Sequence, residues 1–77
     1  MSIEVRYFAS LREKLGKAGD SIDAGNMQTV TDVWDAATGN TDMPANTLCA
    51  INMEYVTPEH TVVDGDEVAF FPPVTGG

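Results

Sequence analysis

Short apolar alternations at both ends of the chain, separated by one amphipathic pattern, constrain the possible fold most strongly. Near the N-terminus, Ile3, Val5 and Tyr7 alternate with outward-facing positions, and near the C-terminus Val68 and Phe70 do the same. A period of two residues is typical of strands that bury one face. Both ends of the chain are therefore predicted to be strands, and each needs another element to cover its apolar side.

The middle of the chain provides that cover. Four apolar residues recur there at helical spacing: Val30, Val33, Trp34 and Ala37. Either Thr29 or Thr31 can cap the start of this helix, and Gly39 is a typical residue to end it. The pattern predicts one main helix with its apolar face, including Trp34, in the core.

The remaining segments complete a mixed sheet. Further strands are predicted over residues 21–24, 48–51 and 54–56, and a short helix is predicted over residues 9–15. Asn52-Met53 is predicted to be the tight turn of a hairpin. This order of elements suits an α+β fold of the β-grasp type, a mixed sheet packed on one main helix with a second short helix. Residues 1–77 are predicted to form a single domain with a tail over residues 72–77.

The charge distribution argues against two classes of partner. The net charge is −8, and all four basic residues lie in the first 17 positions: Arg6, Arg12, Lys14 and Lys17. Nucleic acids and anionic membranes both require a basic surface, so neither is expected as a partner. An acidic surface favours solubility and also steers a chain toward a basic protein partner. With one cysteine, no signal peptide and no long apolar segment, a cytoplasmic location is predicted.

The residues that usually carry chemistry are too few to form an active site. Cys49 is the single cysteine and His60 the single histidine, so neither a catalytic triad nor a metal site with several such ligands can be assembled. Cys49 lies in an apolar strand without basic neighbours, which predicts a buried, unreactive thiol. The segment Asp64-Gly65-Asp66 is predicted to be a turn rather than a cation site. We expect no bound metal or cofactor, and whether the chain counts as an enzyme stays open.

The C-terminal segment carries the most specific functional signal. Gly76 and Gly77 place a main-chain carboxylate on a tail without Cβ atoms, which can pass through a narrow slot in another protein. The preceding segment contains Pro72 and Pro73, which favour a stiff, extended exit from the last strand. Six residues from Pro72 to Gly77 can span roughly 20 Å. The alternative interpretation is an ordinary frayed terminus.

Three aromatic residues fall on the polar side of their strand alternation: Phe8, Tyr55 and Phe71. Isolated exposed aromatic residues are common and need no explanation. Three on one face of a sheet, next to the tail, would instead form an apolar docking patch for a protein partner.

Three segments together resemble the MoaD/ThiS family of ubiquitin-like sulfur carriers, which includes the small subunits of molybdopterin synthase. They are DGDEVAFFPPVTGG over residues 64–77, FASLREKLG over residues 8–16 and CAIN over residues 49–52. The resemblance covers nearly the whole chain, and residues 18–46 are its least specific part. Met53 departs from the small or polar residues that are usual at this turn, a local departure that is interpreted as having no functional weight.

The resemblance implies that the chain carries sulfur on its terminus. An E1-like adenylyltransferase, using ATP and magnesium, would activate the carboxylate of Gly77, and sulfur from a persulfide donor would convert it to a thiocarboxylate. The large subunit of molybdopterin synthase, in a heterotetramer, would then transfer this sulfur to a cyclic pterin phosphate during molybdenum cofactor biosynthesis. Gly76 would give access to the terminus. The family's docking residues are carried over to these positions: Phe8, Arg12, Tyr55, Phe71, Pro72, Pro73, Val74 and Thr75.

Three alternatives remain open on the sequence. A sulfur carrier for thiamine synthesis shares the Gly-Gly end but usually lacks the Phe-Pro-Pro exit and the Phe-Ala-x-Leu-Arg-Glu segment. A ubiquitin-like modifier would use the same activation and form an isopeptide through Gly77. A passive β-grasp binding module would make no use of the Gly-Gly end.

Overall fold

The computed structural model describes residues 2–25 and 28–73 and contains seven regular elements. In chain order they are β1 (Ser2–Tyr7), α1 (Ala9–Leu15), β2 (Gly19–Asp23), α2 (Val30–Thr38), β3 (Leu48–Ile51), β4 (Glu54–Val56) and β5 (Glu67–Phe71). No helix within these residues is long and apolar enough to cross a membrane. The predicted order of strands and helices is confirmed.

The five strands form one mixed sheet in the order β2-β1-β5-β3-β4. The two terminal strands, β1 and β5, are parallel neighbours at its centre, and every other pairing is antiparallel. The apolar sides of these strands form one core with α2, and Leu11 of α1 joins it. The sheet therefore has an inner face, which is covered by α2, and an opposite outer face.

Local signals set the limits of α2. Thr29 is its N-cap, because its side chain accepts a hydrogen bond from the amide of Asp32 while the Asp32 carboxylate accepts one from the amide of Thr29. Thr31, the other candidate, instead donates its hydroxyl hydrogen bond to the carbonyl of Pro58 at 3.0 Å. Gly39 ends the helix with φ of 68°, a left-handed conformation that suits glycine. The predicted helix and its buried face are confirmed.

Three aromatic rings join α2 to the two central strands. Trp34 of α2 meets Phe70 of β5 edge to face at 4.9 Å, and Tyr7 of β1 packs 6.2 Å from each of them. Their polar atoms are satisfied: Trp34 Nε1 donates to the carbonyl of Thr41 at 2.6 Å, and the Tyr7 hydroxyl donates to Asp20 at 3.1 Å. Burial and the bond to Asp20 raise the pKa of Tyr7. These contacts make the inner face a closed, fully packed core.

The strand β2 differs from its prediction. It runs over Gly19–Asp23, two residues earlier at its start than the predicted segment 21–24. Pairing with β1 continues to Gly19 opposite Arg6, and a Cβ at position 19 would lie 2.4 Å from the carbonyl oxygen of Val5. Only glycine permits this close backbone approach, so β2 begins at a residue that strand propensities disfavour.

Candidate functional site

The register of four strands brings one row of side chains across the outer face. Arg6 of β1 lies opposite Ala69 of β5, Ala69 opposite Ala50 of β3, and Ala50 opposite Tyr55 of β4. The two alanines are the small members at the centre of this row, so the surface is lowest there. A shallow hollow of about 290 Å³ lies over them. We call it the outer hollow, and its lining residues are Arg6, Phe8, Ala50, Met53, Tyr55, Glu67, Ala69 and Phe71.

Aromatic rings form one wall of the outer hollow. Phe8 and Phe71 stack with their centroids 4.6 Å apart and their planes 10° apart, and Tyr55 meets Phe71 at 6.1 Å and 61°. Phe8 is 40% exposed and Tyr55 is 71% exposed. The structure thus brings together the three residues that strand alternation predicted to face outward. Their geometry matches an apolar patch rather than scattered exposed rings.

An ion pair borders the same hollow. The Nε of Arg6 donates to a carboxylate oxygen of Glu67 at 2.8 Å, across the parallel pair β1 and β5. This hydrogen bond, reinforced by the charge of Glu67, raises the pKa of Arg6. Both side chains are substantially exposed. The hollow therefore combines an apolar floor and wall with one charged edge, a composition typical of protein-docking surfaces.

The turn between β3 and β4 contributes a side chain to the lining of the hollow. Asn52 and Met53 have φ of 49° and 72°, as a tight hairpin turn requires, so the predicted turn is confirmed. Met53 is 92% exposed. In sequence this residue is only a local departure from turn preference, yet the structure places it in the lining of the outer hollow.

The last strand leads from the hollow into the tail. Phe71 is both the final residue of β5 and part of the hollow's wall, and the partly buried Pro72 and Pro73 follow it. The predicted site residues Val74, Thr75, Gly76 and Gly77 lie outside the described residues. The base of the tail is thus next to the aromatic wall.

Other candidate residues considered in the sequence do not line the hollow. Arg12 is exposed on α1 and is not among the lining residues. Cys49 is buried in β3, as predicted, and burial, with a smaller effect from the charge of Glu59, raises its pKa to about 11. His60 is exposed. Within residues 2–25 and 28–73, no group of three or more His, Cys, Asp or Glu is placed to hold a metal ion.

In the turn before β5, the side chain of Asp66 is held by hydrogen bonds within the protein. Gly65 has φ of 90°, and Asp66 accepts hydrogen bonds from the amide of Val63 at 2.9 Å and from the side chain of Asn52 at 3.0 Å. The prediction of a turn at Asp64-Gly65-Asp66 is confirmed, and Asp66 stabilises the turn and ties it to the hairpin.

Five lining residues of the hollow could not be identified as members of the site from sequence: Arg6, Ala50, Met53, Glu67 and Ala69. The available signal was the alternation itself, since Ala50 and Ala69 are small residues at outward positions of apolar strands. Which outward residues become neighbours depends on strand order, however, and β1 and β5 are more than 60 residues apart in sequence. Alternation within one strand carries no information about that pairing.

Comparisons with known proteins identify the family of the chain. A family model described as the ThiS family matches residues 5–77. The molybdopterin synthase sulfur carrier subunit of Escherichia coli (strain K12) is 37% identical over 84 residues, which cover 97% of this chain and 99% of the relative. The protein with the same description from Chlamydomonas reinhardtii is 37% identical over 83 residues, which cover 100% of both chains.

A solved structure gives the same fold. SAMP1 from Haloferax volcanii matches with a TM-score of 0.82 and 29% identity over 100% of both chains. A second crystal structure from that organism is described as small archaeal modifier protein 1. The fold is the ubiquitin-like β-grasp, as predicted from the order of elements.

Proposed function

The chain belongs to the ThiS family, and we propose that it is the sulfur carrier subunit of a molybdopterin synthase. Two relatives that match essentially its full length carry that description. Neither is named for thiamine synthesis, which favours the molybdopterin assignment over the thiamine alternative. The family match also extends through the segment that includes Gly76 and Gly77.

The carboxylate of Gly77 must be activated before it can accept sulfur. A free carboxylate is a poor electrophile, so an E1-like adenylyltransferase, with ATP and magnesium, first converts the carboxylate of Gly77 to an acyl-adenylate. The outer sulfur of a persulfide donor then attacks the acyl carbon, AMP leaves, and an acyl disulfide forms. A second thiol of the donor attacks its own sulfur in that S–S bond, so the donor is left as a disulfide and Gly77 is released as a thiocarboxylate. The large synthase subunit receives this tail and transfers its sulfur to a cyclic pterin phosphate. In this proposal the carrier binds no cofactor of its own and is activated by its ATP-using partner in the cytoplasm.

The observation that carries the proposal is the position of the outer hollow at the base of the tail. Phe71 lines the hollow and directly precedes the tail, so a partner that covers the hollow also receives the chain that leads to Gly77. Phe8, Tyr55 and Phe71 form the apolar contact with both partners, and Arg12 adds a polar contact beside it. Pro72 to Thr75 lie in the partner's entry slot, and Gly76 allows close approach at its end. With the large subunit, the carrier forms a heterotetramer.

Two measurements test this function. Co-expression with an E1-like partner and a sulfur donor should yield an intact mass that is higher by one sulfur-for-oxygen exchange. Adding the large subunit to that product should convert the cyclic pterin precursor. A chain extended by one alanine after Gly77 is the control and should do neither. If the sulfur-bearing product never forms, or forms without supporting pterin conversion, the proposed function is wrong.

The likeness to SAMP1 favours a second function, conjugation to other proteins through Gly77. Activation by adenylation would be the same, but the acyl group would pass to a lysine amine and form an isopeptide. Lysine-linked conjugates in cells, identified by mass spectrometry as carrying the Gly77 terminus, would support it. Their absence alongside active pterin conversion would leave sulfur transfer as the function.

A further inference from the structure

Two residues near the outer hollow have a backbone conformation that their side chains disfavour. Among the described residues, five that are not glycine have a positive φ: Ala9, Asn40, Asn46, Asn52 and Met53. Asparagine tolerates the left-handed region well, whereas alanine and methionine do not. Ala9 directly follows Phe8, and Met53 itself lines the outer hollow. The strain is thus concentrated beside the proposed docking surface, where such strain often serves function.

The turn that holds Met53 is fixed to the sheet through its neighbour. The Asn52 amide donates to the carbonyl of Glu67 at 2.8 Å, its side-chain nitrogen donates to Asp66 at 3.0 Å, and its side-chain oxygen accepts from the Glu67 amide at 3.0 Å. These three bonds anchor the turn at the start of β5. The position of Met53 above the hollow is therefore set by the fold.

Met53 contributes little to the packing of the free chain. It is 92% exposed and does not belong to the core cluster. The second position of such a turn favours glycine, so methionine is unfavourable there both in its backbone and in its exposed apolar surface. A flexible thioether side chain on a fixed turn is, however, well suited to pack against an irregular apolar partner.

We infer that Met53 is a specificity-determining residue that packs over an apolar side chain inserted into the outer hollow by the large synthase subunit. The inference rests on the proposed function. The six residues from Pro72 to Gly77 reach roughly 20 Å, so the protein that acts on Gly77 lies within about that distance of Phe71, which lines the hollow. The large subunit must also bind a phosphorylated pterin, and the basic groups this requires complement the net charge of −8 on the carrier.

The test compares the affinity of the full-length carrier for the large subunit with its thermal stability. Met53→Gly should weaken binding by about tenfold, since a buried methionine contact is lost, while Tm stays equal or rises because the backbone strain is relieved. Met53→Asn should weaken binding similarly while keeping a residue that tolerates positive φ. Met53→Leu should bind within about twofold of wild type, because it restores an apolar side chain.

Asn46→Gly is the matched control, because Asn46 has φ of 64° in a turn that does not line the hollow. It should leave the affinity unchanged. Wild-type affinity in Met53→Gly, an equal loss in Met53→Leu, or a loss confined to the E1-like partner would each overturn the inference. If the wild-type carrier itself fails to bind the large subunit, the proposed function and the inference both fail. If the wild-type carrier binds normally and Met53→Gly binds equally well, the inference about Met53 is wrong but the proposed function is not affected.

Discussion

The two faces of the sheet use the six aromatic residues of the chain in opposite ways. On the inner face, Tyr7, Trp34 and Phe70 are at most 2% exposed and pack edge to face or stacked beneath α2. On the outer face, Phe71 packs at similar distances against both Phe8 and Tyr55, but in the part of the chain that the structure describes these three rings remain partly or largely exposed.

Two pairs of adjacent residues each contribute one aromatic ring to the inner face and one to the outer face. Tyr7 and Phe8 are adjacent, as are Phe70 and Phe71, so the alternation of a strand sends one ring of each pair to each face. The difference lies in what covers them, since α2 closes the inner face within this chain. The aromatic rings of the outer face stay partly or largely exposed among the described residues, and we infer that another protein covers them.

Truncation of an aromatic ring on the inner face should have the largest effect on the free energy of unfolding. Comparison with truncation of a ring on the outer face distinguishes residues that stabilise the fold from residues that serve docking. Phe70→Ala should lower the free energy of unfolding by about 3–5 kcal/mol, because it leaves a cavity between Trp34 and Tyr7. Phe71→Ala should lower it by only about 1–2 kcal/mol, since the ring is partly exposed and loses mainly its stacking on Phe8. Urea denaturation of both variants measures the difference. Equal losses would contradict the division into a core face and a docking face.

Introduction of a charge on the outer face should have the next largest effect, on binding rather than folding. Phe71→Asp should weaken affinity for both the large subunit and the E1-like partner by about 20–100-fold, because a carboxylate would be buried in an apolar contact. Titration calorimetry with each partner measures this. Val63→Asp is the control, since Val63 is 62% exposed but does not line the outer hollow. Unchanged affinity in Phe71→Asp would show that the outer hollow is not the shared docking surface.

The buried thiol of Cys49 on the inner face should make the stability of the chain fall at high pH. Burial raises the pKa of Cys49 to about 11 from an ordinary value near 9, so above pH 9 the thiol ionises in the unfolded chain before it does so in the folded one. Its stabilising contribution is complete below pH 9 and is lost as pH rises toward 11. By pH 11 the loss amounts to about 2 kcal/mol.

The measurement is the free energy of unfolding from pH 8 to 11 in wild type and Cys49→Ala. The alanine variant should lose less stability over that range, although its absolute stability is lower. Tyr7→Phe is the matched comparison, because the pKa of Tyr7 is also raised but from an ordinary value of 10.0, so its effect begins at higher pH. Parallel curves for wild type and Cys49→Ala would contradict the burial of an un-ionised thiol.

The two faces differ in how well they can be predicted from sequence, because one depends on local periodicity and the other on contacts between distant strands. The inner face is set by local periodicity: Val30 and Val33 recur at helical spacing, and Val68 and Phe70 alternate, so both halves of the core can be identified without knowing how they meet. The outer hollow depends on register between distant strands, which places Ala69 beside Ala50 and Arg6. The outward direction of Phe71 could be predicted from alternation, but its stacking partner depends on the chain path after β1.

Met53 shows a second limit of sequence reasoning. Its departure from the usual turn residues was visible in the sequence, but its position over the hollow follows from the bonds that tie Asn52 to β5. A residue that disagrees with local turn preference gains meaning only when its surroundings are known.

The smallest predicted effect defines where the outer docking surface ends. Arg12 is exposed on α1 and outside the lining of the outer hollow. If the partner's contact extends over α1, Arg12→Ala should weaken binding by about twofold at low salt, and the difference should vanish at about 0.5 M salt, because exposed charge pairs are weak and screened. Lys14→Ala on the same helix removes the same charge without the assigned contact and should change affinity less. Identical behaviour of the two variants at every salt concentration would assign the effect to net charge and confine the docking surface to the hollow and the tail.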